Sequence, residues 1–403
     1  MYIISIVPTP PYPSGLSHYI LYLYSNFSSS HKINIITNKD SNAVSQSKNI
    51  MISKVFTPGI TAPWICLQKI LAERNIDILH LHIEYSFLGS WLNFLLLSFF
   101  LLILRFICRR SKIVITLHGI PRYWPIYYYL KRISRVSTVS KFLASICTIL
   151  SYVSIYLSCV LSDAVIVHTD LMKHALVPLI SYNMLSKVYV IPHGSYEPIH
   201  RTEKSRLNKD SINILTIGYQ RPSKGLKTFL NAARVVSRQV NNVKFMIVGM
   251  RIQKFIERKE ELTNDSIDIN IERIDGFLED RILDKVIEEA DIIVLPYEDM
   301  FYESSGVLHR VALYGKALVC SNIPRFRSSL TNGVDALLFH PRDYMELATH
   351  LLRLINDISL REQLSRRVIE KFLHTKWELV ARKHEQLFLK ILINGRVHKH
   401  DLG

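Results

Sequence analysis

The stretch Leu215-Thr-Ile-Gly-Tyr-Gln-Arg-Pro-Ser-Lys-Gly-Leu226 decides how the rest of the chain is read. A β-branched run, Ile212–Ile217, reads as a buried strand that turns at Gly218, and a helical pattern starts near Leu226. Arg221 and Lys224 stand between the two. Paired cations at the carboxyl end of a strand, beside a helix N-terminus, suit a diphosphate. Taken alone, the same residues also fit a solvated basic loop.

The unit of run, loop and helix recurs on both sides of this stretch. Before it, Tyr2–Val7, Lys32–Ile36, Ile76–His82, Lys112–Leu117, Ala164–His168 and Lys187–Ile191 read as strands. After it come Lys244–Val248, Ile269–Ile274, Ile292–Leu295 and Ala317–Cys320. The charged, turn-rich HRTEKSRLNKDS, from His200, separates the two sets. Such alternation predicts an α/β chain of two Rossmann-like doubly wound domains, with a cleft between the carboxyl ends of their strands. The expected division is 1–197, 198–376 and a final amphipathic helix, about Trp377 to Leu392, within 377–403 that crosses back to the first domain.

A chain of 403 residues with 48% hydrophobic residues can bury two cores, which excludes disorder and fibrous repeats. The five cysteines are far apart and include no Cys-x-x-Cys, so a disulfide framework or a cysteine zinc site is not expected, and a reducing compartment fits. The opening MYIISIVPTPPYPSG has no basic n-region and reads as a strand and loop instead of a secretory signal. There is neither G-x-G-x-x-G nor G-x-x-x-x-G-K-[ST], which removes support from kinase, P-loop and simple dehydrogenase readings.

The formal charge of +16 calls for a partner. Zinc-finger spacing, basic-zipper heptads and RNP-like aromatics are missing, so nucleic acid is not expected. An anionic membrane surface fits better. No charge lies between Glu84 and Arg105, a run of about the 20 residues a bilayer needs, and Arg109, Arg110 and Lys112 follow. A second uncharged stretch, Phe142 to Ser162, carries Cys147, Ser151, Ser154, Ser158 and Ser162 on one stripe, a packing pattern more than a lipid-facing cylinder. Segments 85–112 and 125–162 are therefore expected to attach to the membrane interface from the cytoplasmic side without spanning it. Trp124, Tyr127, Tyr128 and Tyr129 suit an interfacial belt or core packing alike.

In its motifs the chain resembles the retaining glycosyltransferases of the GT-B fold, family 4. These carry G-x-x-R-x-x-K-G where Gly218, Arg221, Lys224 and Gly225 stand. PPYPSGLSHY (Pro10–Tyr19) is similar to the family's first loop, with Gly15-Leu16 in place of its usual Gly-Gly. Ile76–His82, Val114-Ile-Thr-Leu-His118-Gly119, Ile191-Pro-His-Gly194 and Leu295-Pro-Tyr297 also resemble family segments, in order along nearly the whole chain. One loop departs from the pattern. The family writes E-x7-E before a Gly-Lys; counting back from Gly315-Lys316 puts Arg310 at the second acid and Tyr302 at the first, with Glu303 one residue later. In the family that second acid holds the nucleotide ribose, and a branch with Ser-Gly-Val-Leu in this loop also lacks it.

The resemblance implies a hexosyltransferase that uses a nucleotide-diphosphate sugar, UDP- or GDP-linked, needs no metal or other cofactor, and serves a lipid-linked or growing glycan acceptor. Arg221 and Lys224 would offset charge on the departing phosphate, worth a few kcal/mol in a dry cleft. Ser304, Ser305, Gly306 and Val307 would bind the donor, the last three through amides at a helix N-terminus. Gly15 would let backbone approach the same phosphate. Glu303 would orient a sugar hydroxyl, and His118 would contact the sugar near its reacting carbon. Arg310 has three routes open: Glu303, a phosphate, or solvent. His118 also fits a core histidine, and Glu303 a solvated acid at a helix N-terminus. His80 and His82 share a strand face, but without a third ligand no metal is expected; His168 fits a cleft-lining place, and a structural one better. A soluble sugar or sugar-phosphate synthase, and an inactive scaffold on the same fold, are the rival functions.

Overall fold

A computed structural model describes residues 1–10, 12, 15–45, 47–84, 87–120, 126, 137–199, 211–250, 269–276 and 278–400. Trp124, Tyr127, Tyr128 and Tyr129, the linker from His200, and Pro11, Pro13 and Ser14 lie outside them. The chain forms two compact units. The first is Met1–Gly194 with Phe301–Ser304 and Trp377–Gly403; the second is Ser195–Met300 with Ser305–Lys376.

In the first unit the strands are β1 (Tyr2–Ile6), β2 (Lys32–Asn38), β3 (Ile50–Phe56), β4 (Ile78–Ile83), β5 (Lys112–Leu117), β6 (Gly119–Ile120), β7 (Ala164–Val167) and β8 (Val188–Val190). Seven make one sheet in the order β3-β2-β1-β4-β5-β7-β8. Every pairing in it is parallel, which is why the inner strands read as near-continuous apolar runs with both faces covered. Helix α1 (Gly15–Ser25) follows β1 and buries Tyr19, Ile20 and Leu23. The chain's last helix, Trp377–His400, packs on α1 through Phe388 against Phe27 and His384 beside Tyr19. Its backbone runs past the expected end at Leu392.

The second unit repeats the plan with β9 (Ile212–Ile217), β10 (Val243–Gly249), β11 (Ile271–Asp275), β12 (Ile292–Leu295), β14 (Ala317–Ser321) and β15 (Leu337–Phe339), ordered β11-β10-β9-β12-β14-β15. The order reverses between β9 and β12, so the loops after these two strands open side by side, where doubly wound sheets place ligands. β13 (Tyr302–Glu303) belongs to the first unit, where it pairs antiparallel with β6.

Four strand segments, β3, β6, β13 and β15, escaped the sequence reading. In β3 the burial alternates irregularly at a sheet edge, β15 has three residues, and the β6–β13 ladder has two on each side. The runs of two and three residues are too short to carry a hydrophobic period.

The apolar stretch after Glu84 is not one helix. It folds as a 3₁₀ turn at Phe87–Gly89, a short helix Trp91–Leu95 capped by the Ser90 side chain, and a helix Leu97–Ile107. Phe87, Phe94, Leu97, Phe100, Leu101 and Leu104 are buried in the first unit's core. Thr138–Leu161, within the helix Ser137–Leu161, is the one helix among the described residues long and apolar enough to cross a membrane by length and composition. Its serine stripe faces protein: Ser151, Ser154, Ser158 and Ser162 are buried, and Ser154 Oγ donates to the Phe94 carbonyl at 2.7 Å.

Candidate active site

In the second unit, glycines let the β9 loop close on its neighbours. Gly218 has φ +128°, and its amide donates to the Val248 carbonyl at 3.0 Å. A Cβ on Gly249 would come within 1.9 Å of the Gly218 carbonyl oxygen, so these two backbones touch. Gly225, at φ +68°, is more constrained still, because a Cβ there would lie 1.7 Å from the Pro296 carbonyl oxygen. Only glycine combines that left-handed turn with that approach. The Glu298 amide donates to the Ser223 carbonyl at 2.9 Å and ties the β9 loop to the β12 loop.

This closure brings the expected phosphate residues onto Tyr297. Lys224 Nζ stands 3.4 Å from the centre of the Tyr297 ring, and the Arg325 guanidinium is 5.3 Å from it. Arg325 is itself held by Asp299 at 2.6 Å. Burial pushes the Tyr297 phenol above its ordinary range, although Arg325 and Arg221 pull the other way. Its hydroxyl is buried with no hydrogen-bond partner among the described residues, and so is Nε of Arg221. Two buried donors in one loop cluster, beside a lysine, call for acceptor oxygens. A Cβ on Gly218 would lie 3.5 Å from the Tyr297 hydroxyl and 3.6 Å from a Val307 methyl, which places the head of the Gly306–Val311 helix against the same loop. Ser305 caps that helix, its Oγ accepting from the Leu308 amide at 3.2 Å. The first-turn amides of Gly306 and Val307 have no intrahelical acceptor.

The contacts described for Arg310 lead to another helix. The Arg310 side chain is turned inward, with Nη2 2.5 Å from Asp284 Oδ1 and 3.2 Å from Asp280 Oδ1, and its guanidinium lies 4.7 Å from the centre of the Tyr196 ring. Arg310 is thus engaged with helix Asp280–Glu289, and its side chain is 10% exposed.

The first unit holds the other expected residues. Glu303 pairs with Gly119 across β13 and β6, which sets it in the ladder beside the residue that follows His118. Ser304 Oγ is buried without a hydrogen-bond partner among the described residues. Gly15 opens α1, and a Cβ there would meet nothing within 4 Å, so no protein contact demands glycine at this position. His118 is joined to His82 and to His168 by ring-nitrogen contacts of 3.2 and 3.1 Å. Burial, reinforced by neighbouring histidines, holds its pKa well below the ordinary imidazole value. His168, read from the sequence as structural, and Tyr19 are thus part of the His118 surroundings; the Tyr19 ring meets that of His118 edge-on at 4.8 Å. Among the described residues, no group of three or more His, Cys, Asp or Glu is placed to hold a metal ion.

Comparison with known proteins agrees with this geometry. Residues 211–357 match the family described as "Glycosyl transferases group 1". A 2-deoxystreptamine N-acetyl-D-glucosaminyltransferase of Niallia circulans is 24% identical over 181 residues, a match spanning 44% of this chain and 44% of that protein. The sucrose-phosphate synthase of Thermosynechococcus elongatus superposes with a TM-score of 0.73 at 15% identity, over 98% of this chain and 100% of its own. Anabaena HepE, solved with UDP-glucose, gives 0.67 at 13% identity over 97% and 100%. WaaG, a glycosyltransferase involved in lipopolysaccharide biosynthesis, gives 0.67 at 12% identity over 96% and 99%. Residues 211–357 are thus similar to the group 1 glycosyl transferases, and the fold is the GT-B fold, shared with these structures along nearly the whole chain.

Proposed function

We propose that the protein is a retaining glycosyltransferase of family 4, moving a hexose from a nucleotide-diphosphate sugar to a lipid-linked or growing glycan acceptor at the cytoplasmic face of a membrane. The observation that carries this reading is the β9 loop cluster, where Lys224 lies over Tyr297 and the buried donors Arg221 Nε and Tyr297 Oη find no acceptor among the described residues. When a sugar leaves a nucleoside diphosphate, negative charge grows on the departing phosphate. Fixed cations and amides at that point lower the barrier without reorganising. Arg221, Lys224 and the amides of Gly306 and Val307 supply such groups. On the family resemblance, Ser304 and Ser305 belong to donor binding, Glu303 orients a sugar hydroxyl, and the leaving phosphate takes the acceptor's proton, so no protein nucleophile is needed. HepE was solved with UDP-glucose, which makes UDP-sugars the first donors to try.

Calorimetric titration with UDP-, GDP- and ADP-sugars tests the proposal. One donor should bind, and Lys224→Ala should weaken it about 10- to 100-fold, the loss of one charge-assisted contact of about 1.5–3 kcal/mol. A folded protein that binds none of the donors would favour the scaffold reading.

The membrane part of the proposal is supported by the outward faces of two packed helices. Phe99, Leu102 and Phe106 on Leu97–Ile107, and Phe142, Ile149 and Val153 on Ser137–Leu161, are exposed while the opposite faces are buried. Arg109, Arg110 and Lys141 are exposed on or near these helices. An amphipathic pair flanked by cations suits an anionic bilayer surface. Flotation with vesicles containing anionic phospholipid should carry the protein upward. Phe142→Ser with Ile149→Ser should reduce binding about tenfold or more, since each buried large side chain is worth about 1.5–3 kcal/mol. Equal flotation of the double variant would remove the helix pair from the membrane contact.

A further inference from the structure

Three imidazoles of the first unit form an unbroken chain. His82 Nδ1 lies 3.2 Å from His118 Nε2, and His118 Nδ1 lies 3.1 Å from His168 Nε2. His168 Nδ1 lies 3.0 Å from the Ile191 carbonyl oxygen. That last contact sets the direction of all the others. A carbonyl oxygen only accepts, so His168 Nδ1 carries the hydrogen, and in a neutral ring its Nε2 is then an acceptor. His118 must donate to it from Nδ1, which leaves His118 Nε2 to accept the Nδ1 hydrogen of His82. The reverse arrangement has no donor at the Ile191 end. His82 Nε2 is left as a lone pair, buried and without a partner among the described residues.

We infer that His82 and His168 are positioning residues that lock His118 as the Nδ1–H tautomer with both nitrogens committed, so that a sugar meets His118 through its carbon edge and ring face and not through a nitrogen. This rests on the reading that His118 serves the sugar, and it changes how His118 does so. The walls of the chain support a fixed, uncharged ring. From α1 the Tyr19 ring meets His82, His118 and His168 at 5.7, 4.8 and 5.3 Å. His80 lies tilted beside His82 on β4, with ring centres 4.0 Å apart. His193 faces His168 at 5.8 Å, and the last helix brings His384 to the Tyr19 hydroxyl at 3.5 Å. The acid that the β6–β13 ladder sets beside Gly119 is Glu303. The groups that act electrostatically on His118 are His168, His193, His80 and His384, with burial the larger effect, and all of them oppose a positive charge there. Because the chain ends on a carbonyl, it holds protons in place and has no exit through which to pass them on.

Long-range ¹H–¹⁵N correlation spectra of the full-length protein with ¹⁵N-histidine, at pH 7.5, read the tautomers directly. The expected pattern is Nδ1 protonated and Nε2 unprotonated for His82, His118 and His168, with peaks assigned from single His→Gln variants. His168→Gln, whose amide oxygen can still accept, should leave the His118 pattern in place, and His168→Leu should abolish it. Addition of the donor identified by calorimetry should leave the His118 nitrogens unchanged. Finding His118 as Nε2–H in the unmodified protein would overturn the inference, whether or not either variant folds. So would a donor-induced change in its nitrogen protonation. If no nucleotide-sugar binds, the transferase reading fails, while the tautomers of the free protein still decide the relay.

Discussion

Lowering the pH from 7.5 should unfold this protein between about pH 6 and 5, far above the range in which carboxylates titrate. His80, His82, His118, His168, His193 and His384 are all buried in the first unit, and burial is the main cause that depresses each of them. His168 and His384 are lowered to about 4 and His193 to about 3. In the unfolded chain each titrates near 6.5. Above that pH neither state takes a proton and stability is complete. Below it the unfolded state binds protons that the folded state refuses, so stability falls until the pH reaches the depressed folded values. Each group contributes about 1.4 kcal/mol per pH unit in that window. At pH 5.5 His168, His193 and His384 together amount to about 4 kcal/mol, and His80, His82 and His118 act in the same direction, against a whole stability of about 5–15 kcal/mol for a typical domain. Urea unfolding followed by circular dichroism at half-unit steps from pH 8 to 5 measures this slope. A stability unchanged between pH 7 and 5.5 would mean that these imidazoles are not held neutral by the fold.

None of that cluster can be read from spacing. His82 and His118 are 36 residues apart and His118 and His168 are 50, and they meet only because β4, β5 and β7 lie side by side, with His82 opposite Thr116 and Ala164 opposite Val114. A strand's sequence shows which face a residue takes but not which strand will be its neighbour. The sheets themselves were legible because both are parallel and covered on both faces. Ile212–Ile217, Ile292–Leu295 and Lys112–Leu117 are therefore largely apolar runs with turn residues at their ends. The β9 loop was legible for a related reason: a glycine that must turn left-handed against Pro296 leaves its mark in the composition of the segment. The membrane-like runs were ambiguous, since an apolar helix half buried in a core and one lying on lipid need the same residues. The Asp284 contact of Arg310 was not legible, because counting from Gly315 fixes the place of Arg310 on its helix but says nothing of an acid that reaches it from another helix.

Removing the partner of Arg310 should be among the most destabilising single changes in the second unit. Asp284 receives the Arg310 guanidinium at 2.5 Å and the Tyr314 hydroxyl on the same oxygen, and its side chain is 5% exposed. Asp284→Ala leaves a guanidinium nine-tenths buried, with Asp280, 40% exposed, as its remaining acid within 4 Å. Breaking a buried ion pair from one side costs about 3–5 kcal/mol, because the remaining charge is desolvated and uncompensated. For a unit of this size that lowers the melting temperature by roughly 10 °C. Arg310→Met should cost a similar amount. Arg310→Glu should cost more, because it sets a third carboxylate against Asp280 and Asp284. The acid found at this place in the resembling family therefore cannot be restored here by one substitution. Replacing both partners, Arg310→Met with Asp284→Leu, should recover most of the loss, since two apolar side chains of similar volume leave no buried charge. Donor affinity measured well below the melting point should stay close to that of the unmodified protein in Arg310→Met, because the guanidinium points into the helix packing. Single substitutions that leave the melting temperature unchanged would show the pair to be open to water. Weakened donor binding in a folded Arg310→Met protein would return Arg310 to the nucleotide.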